Sequence, residues 1–428
     1  MILKSNKQLD LINTAKKYLD KCEDKKISTT LSSFCYLNNF DISAGYIRLR
    51  IFNKQFNLNY LFYLVKNLLL LHRQFDYKII NKNNFYKKKN KLIISWARSR
   101  DFNEEGIFID RYLNLSSKNK KIFFFLIYLE KKLPEKIDKN VILLYQCKKK
   151  INFLSYIKSF HYFFLLIKKY KLSLLKIFHE IFSESCFAKV FLDNFKKINI
   201  KNVKKVIIAY EAQPYQKNLI EFLKKENKEI KIDGYDNSID ALPINMLYQK
   251  NSPDFLYVKK KAHKNIYVNY FFWPKNRVKV FNSINSINSI DADNEQYKSK
   301  IFLAYNISSP KFLLSQFEFY LKFFVKKKIF DLEVRIHPAK SNDPKHQDFK
   351  SKLNLLLGKY SNRFSKKSKI HHAFFFGSTG SVLNSLKFNT RLIHFTDNYI
   401  TDIYNKFLWP EITTKKMHNN IYLYTLKN

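Results

Sequence analysis

Two short segments toward the end of the sequence hold residue types that bind anions. Arg335-Ile336-His337-Pro338 closes a β-favouring run. The two-residue period of a strand sends Arg335 and His337 to one side, and Pro338 stops the pairing. A guanidinium beside an imidazole suits a phosphate, because both donate charge-assisted hydrogen bonds; the plainer reading is a strand end with one satisfied histidine and one surface arginine. Further on, Gly377-Ser378-Thr379-Gly380-Ser381 gathers two of the six glycines and three hydroxyls. Between a strand and a helix such a turn offers free backbone N–H groups, hydroxyls and the positive end of the helix dipole to an anion. The same residues also make an ordinary helix N-cap, and the two roles coexist. The turn matches neither a GxGxxG fingerprint nor a Walker A sequence.

Carboxylates supply the other half of a possible chemistry. Glu211 follows the apolar run VKKVIIAY at 203–210, where a general base could take the proton of an attacking hydroxyl. It reads equally well as an acid at a helix start. Asp236 is the second candidate base, and Asp101, Glu104, Glu105 and Asp110 form an acidic cluster read as a solvated loop. The histidines show no HExxH or facial-triad spacing, so no protein-bound catalytic metal is expected. Cys22, Cys35, Cys147 and Cys186 form no CxxC pair, which argues against a zinc module or a disulfide framework and fits a reducing cytoplasm.

These residues need strands and helices to position them, and the pattern supplies both. Apolar runs at 92–96, 122–128 and 141–145 read as buried parallel strands. Strand 203–210, helix 213–225, strand 230–234 and strand 255–258 continue the alternation of a doubly wound sheet. It restarts with strand 301–305, helix 311–324, strand 332–336, helix 349–357, strand 373–376, helix 381–387 and strand 392–395. The fold class expected is therefore α/β with two Rossmann-like doubly wound domains. Residues 1–275 form the first, with helical additions at 8–25, 58–72 and 151–195, and residues 300–428 form the second. Residues 276–299, with the SIN repeat at 283–290, read as a low-complexity linker or loop.

Composition narrows the function classes. The 428 residues carry 78 Lys+Arg against 35 Asp+Glu, a formal charge of +43. Arginine stands at only ten positions, and the lysines are spread through the chain. Nucleic-acid readers favour arginine forks, so no nucleic-acid partner is expected, whereas anionic headgroups and phosphorylated ligands suit the charge. No secretory signal or bilayer-spanning run is present, which predicts a cytoplasmic protein, with peripheral contact at the inner face of an anionic membrane as a variant the charge allows.

RIHP followed by a strand and GSTGS resembles the donor half of two-Rossmann (GT-B) glycosyltransferases of bacterial surface polysaccharide synthesis, sialyl- and Kdo-transferase-like enzymes included. The segments Ser95-Trp96-Ala97, Gly106, Asp110-Arg111-Tyr112, Tyr210-Glu211-Ala212-Gln213-Pro214-Tyr215-Gln216 and Gly234-Tyr235-Asp236-Asn237 are similar to a group of surface carbohydrate biosynthesis proteins, with Asn237 where a histidine is expected. The resemblance covers roughly residues 92–410. It implies two domains facing a cleft and inverting transfer from a nucleotide-sugar donor, a CMP-sugar in the sialyl- and Kdo-transferases, to a glycan or glycolipid acceptor. Arg335, His337, Pro338 and Gly377 to Ser381 would hold the nucleotide and Glu211 or Asp236 would act as base. The nucleotide sugar is a co-substrate and no further cofactor is implied. The rival reading is a catalytically inert binding protein, either a degenerate transferase or a basic nucleic-acid-binding factor.

Overall fold

The run Ile122–Tyr128 is apolar and buried at every position, as in a strand covered on both faces. It lies at the heart of the first of two large sheets. A computed structural model of the chain describes residues 2–24, 77–81, 89–110, 113, 115–130, 132–146, 183–236, 246–258, 261–281, 299–304, 309–337, 340–377, 391–396 and 412–427, with a few single positions between them. The helix expected at 58–72, most of that at 151–195, the SIN repeat, Arg111, Tyr112, Asn237, Pro338 and Ser378 to Ser381 lie outside the described residues.

The chain opens with helix α1 (Ile2–Asp24), then strands β1 (Tyr77–Ile80) and β2 (Lys91–Ala97), the small hairpin β3 (Ile109–Asp110) and β4 (Leu115–Ser116), and strands β5 (Ile122–Tyr128) and β6 (Val141–Gln146). Helix α2 (Ser183–Phe195), β7 (Lys205–Tyr210), α3 (Pro214–Glu226), β8 (Lys231–Asp236), β9 (Phe255–Val258), α4 (Lys261–Tyr270) and β10 (Val278–Val280) follow. The eight-stranded sheet runs β1-β6-β5-β2-β7-β8-β9-β10, parallel throughout except for β1. From β2 the chain moves outward through β5 and β6, then returns to the other side of β2 for β7 to β10. The order therefore reverses between β2 and β7, as in the doubly wound dinucleotide-binding sheet.

Alternation sends Leu92, Ile94, Phe123 and Phe125 into a cluster with Phe191 and Phe195 of α2 and Leu219 and Leu223 of α3. Phe125 meets Phe191 and Phe195 edge-on at 5.3 and 5.4 Å. Ile93, Phe124, Leu126 and Ile207 fill the other face with Phe108. Gly234 in β8 permits close packing, because a Cβ there would come within 2.7 Å of the Pro253 ring and 3.1 Å of Tyr210.

Strand β11 (Lys300–Leu303) begins the second sheet, followed by α5 (Pro310–Phe323), β12 (Glu333–Ile336), α6 (Pro344–Lys359), β13 (His372–Phe376), β14 (Arg391–Phe395), β15 (Ile412–His418) and β16 (Ile421–Leu426). Its order is β12-β11-β13-β14-β16-β15: β12, β11, β13 and β14 are parallel, and β15 and β16 form an antiparallel hairpin beside β14. Phe374, Phe376, Ile393 and Phe395 pack under Phe317 and Tyr320 of α5 and Phe349 of α6. On the opposite face Ala373, Phe375, Leu392 and Tyr424 join the apolar cluster that includes the first sheet.

Strand β10 pairs with β9, so the first sheet reaches Val280 and the second starts at Lys300. The change of sheet thus begins later than the residue 276 read from composition; the short β-favouring Val278–Val280 was hidden beside the repeat. Among the described residues no helix is long and apolar enough to cross a membrane.

Candidate functional site

In sheets of this kind ligands bind beyond the carboxyl ends of the strands where the order reverses. In the first sheet that place lies between the ends of β2 and β7. After β2 the backbone N–H of Arg98 donates to Asp101 Oδ2 at 2.8 Å, closing a tight turn over Ser99–Asp101. The Ser99 N–H donates to Glu130 Oε2 at 2.9 Å and its hydroxyl donates to the same oxygen, tying the loop after β2 to that after β5. Burial works against the Glu130 charge, but the two bonds from Ser99 and the charges of Arg98 and Arg100 outweigh it and hold the carboxyl below its ordinary pKa. The acidic cluster is thus only partly a solvated surface. Asp101 caps a turn, and Asp110 is buried, accepting the Leu113 N–H at 2.8 Å.

After β7 the turn into α3 is built around one amide. Gln216 Oε1 accepts the N–H groups of Glu211 and Gln213 at 2.9 and 3.1 Å, and its Nε2 donates to the Ala209 carbonyl at 2.7 Å. Ala212 sits in the left-handed region at φ 51°, and Pro214 opens the helix. A left-handed alanine costs roughly 1–2 kcal/mol, so the Gln216 bonds hold a strained turn. The half-buried Glu211 is fixed by it at the reversal point, with Gln213 Nε2 3.4 Å from its Oε2. Asp236 stands elsewhere: it is buried at the end of β8, one strand further out, and its Oδ2 accepts the Tyr267 hydroxyl of α4 at 2.7 Å.

In the second sheet the order reverses between β11 and β13. His337 continues the ladder past β12, its N–H donating to the Leu303 carbonyl at 3.1 Å. Burial, then the positive charges of Arg98, His346 and Lys340, hold the imidazole below its ordinary pKa. Arg98 belongs to the first sheet's carboxyl edge, so electrostatics couples the two edges. Asp343 caps α6 by accepting the Lys345 N–H at 3.0 Å, and Lys340 Nζ lies 3.2 Å from Asp343 Oδ2. His346 Nε2 lies 3.0 Å from the Ala304 carbonyl, which requires the proton on that nitrogen.

Gly377 ends β13 with φ 83°, a conformation that excludes most other residues. Its N–H donates to the Phe395 carbonyl at 3.1 Å, and its own carbonyl accepts from His394 Nε2 at 2.8 Å. Burial pushes His394 down to about 4, so the ring is neutral, and its Nδ1 is free to accept from the Tyr424 hydroxyl at 3.1 Å. Val382 and Ser385 are helical and buried, with the Leu386 N–H on the Val382 carbonyl, so a helical turn follows the Gly377 turn.

His337 and Gly377 thus share the carboxyl edge, as their place after β12 and β13 implied, and Glu211 occupies the corresponding edge of the first sheet. Arg335 is not brought to them. Its Nε lies 3.8 Å from Glu333 Oε2, toward the start of β12, where Lys300 also pairs with that carboxylate. Sequence reasoning quoted Gln216 only within a longer segment and missed His346 and His394, buried side chains that with Gln216 shape the three turns; the signal for His394 was histidine at a buried strand position in β14. Compared with protein-family models and with curated proteins, the chain matches none.

Proposed function

We propose that the protein is a nucleotide-sugar-dependent glycosyltransferase of the GT-B type, which transfers a sugar from a nucleotide-linked donor to a hydroxyl of a surface polysaccharide or glycolipid. The observation that carries this reading is that Glu211 stands at the carboxyl-edge reversal point of the first sheet, while His337 and Gly377 stand at that of the second. It supports a cleft with a carboxylate on one wall and anion-binding groups on the other.

In that cleft Arg98, His337, Lys340 and the turn from Gly377 meet the donor phosphate. Glu211 accepts the proton of the acceptor hydroxyl as its oxygen attacks the anomeric carbon. The anomeric carbon–phosphate oxygen bond breaks, the electron pair leaves with the nucleotide, and the cationic groups stabilise the leaving phosphate. One base and a stabilised leaving group suffice for inversion, with no covalent intermediate.

A thermal-shift panel of CMP, UDP, GDP and CDP ligands tests the nucleotide site, since a ligand at about 100 times its Kd adds about 2.7 kcal/mol of stability. Transfer of labelled sugar to a glycan or glycolipid extract tests the chemistry. No shift with any nucleotide refutes the reading. Binding without transfer converts it to an inert homologue.

A further inference from the structure

Two loops lie at the amino edge of the second sheet, opposite the edge that holds His337 and Gly377. Residues 325–332 lead into β12 and residues 361–371 into β13. They are bonded into one surface. The Ile329 N–H donates to the Arg363 carbonyl at 3.0 Å, the Ser365 N–H to the Ile329 carbonyl at 2.9 Å, and the Phe330 N–H to the Ile370 carbonyl at 2.9 Å. The Ser368 hydroxyl donates to the Lys328 carbonyl at 2.7 Å.

This surface presents Lys326, Lys327, Lys328, Lys366, Lys367 and Lys369, all exposed and, among the described residues, none in an ion pair. Asp331 is the sole acid in either loop. Beside the lysines two apolar side chains face solvent, Phe323 at 54% and Ile370 at 38% exposure. The loops' one arginine, Arg363, spends its guanidinium on the Val325 carbonyl at 2.8 Å.

The charge outside is therefore carried by lysine alone, as strongly hydrated point charges without the fork that reads guanine or phosphate geometry. Phe323 is not a free stacking platform, since its ring packs on Phe319 at 4.7 Å and lies under Lys322 Nζ at 5.3 Å. A cluster of lysines flanked by apolar side chains without polar tips matches a lipid headgroup boundary.

We infer that this edge docks on the surface of an anionic phospholipid bilayer, with its lysines on headgroup phosphates and Phe323 and Ile370 at the headgroup boundary. Strands of four or five residues at about 3.3 Å each separate the two edges of the sheet. The anion-binding edge would then stand roughly 15 Å above the lipid, facing the aqueous side.

Co-sedimentation with phosphatidylcholine vesicles containing about one third phosphatidylglycerol tests this without any sugar donor, so the result is independent of the proposed transfer chemistry. Capture is expected on these vesicles, not on phosphatidylcholine alone, and is expected to weaken as salt rises. Combined Lys326→Glu, Lys327→Glu and Lys328→Glu should weaken it by about a hundredfold or more. The same reversal at the exposed Lys225, Lys228 and Lys231 of the first sheet's surroundings should change it several-fold at most. Phe323→Trp in the otherwise native chain should blue-shift its emission on anionic vesicles, which keeps the inference testable if the triple variant does not fold. Equal capture by neutral vesicles, equal damage from the control reversal, no shift of the tryptophan, or capture of a single-stranded oligonucleotide with none of vesicles would overturn it.

Discussion

Lys217 lies fully buried in the first turns of α3, where its Nζ donates to Gln249 Oε1 and no carboxylate among the described residues pairs with it. Burial lowers its pKa from 10.5 to about 7. At roughly 1.36 kcal/mol per pH unit, keeping an ammonium there disfavours the folded state by about 5 kcal/mol at and below neutral pH. The unfolded chain holds the proton between pH 7 and 10.5 while the folded chain releases it. The stability of the native protein therefore rises with pH through that window, and the penalty is fully present below it. Lys217→Met keeps an unbranched stem and removes the amine, at a cost of about 1–3 kcal/mol for the Gln249 oxygen left without its donor. The variant should thus be more stable than the native protein by about 2–4 kcal/mol at pH 7. Near pH 10 the penalty has shrunk below about 1 kcal/mol, the lost hydrogen bond dominates, and the variant should become the less stable of the two. Thermal unfolding of both proteins across this pH range measures the difference, in which the other lysines cancel. A constant difference at every pH would refute the burial of the amine and the reasoning built on it.

Three other outcomes follow from the two carboxyl edges. Glu211→Gln should leave folding and nucleotide affinity intact while lowering sugar-transfer turnover by roughly 10²–10⁴-fold in a steady-state assay; retained turnover would remove Glu211 from the chemistry. His337→Ala should weaken nucleotide binding by about 1–3 kcal/mol in calorimetry. Phosphate binding favours the protonated form of an imidazole otherwise held below its ordinary pKa, so native affinity should rise as pH falls, and the variant should lose that dependence. Gln216→Leu leaves the Glu211 and Gln213 N–H groups and the Ala209 carbonyl without their partner and should cost about 2–3 kcal/mol by denaturant titration, with kcat falling because the turn no longer holds Glu211.

The parallel strands were legible as short apolar runs: 122–128 is unbroken because both faces are covered, 255–258 is buried on one face and half-buried on the other, and the structure matches both residue for residue. The start of α6 was set too late, at 349, because Pro344-Lys345-His346 looks polar; its helical start depends on the Asp343 cap. The hairpin of β15 and β16 went unread even though His418-Asn419-Asn420-Ile421 carries a turn signal, with Asn420 left-handed at φ 61°. β-Alternation reads Arg335 and His337 as sharing a side, yet what each side chain meets is tertiary: Glu333 for Arg335, and the charges of Arg98, His346 and Lys340 for His337. Arg98 and His337 lie far apart in sequence, and no local pattern encodes the electrostatic influence of one on the other.

Among the described residues the outermost strand of the second sheet is β15, seven residues long, and its outer edge meets no further strand. Such an edge is a template on which another chain could add itself, end over end, into aggregates. Here the strand interrupts its own register between Lys416 and His418, and exposed Lys415 and Lys416 sit beside the break. A second copy approaching this edge would meet like charge and mismatched hydrogen-bond spacing together. The other terminal strands, β1, β10 and β12, are four residues or fewer. In a chain this rich in phenylalanine and isoleucine, these features disfavour edge-to-edge pairing of the described sheets.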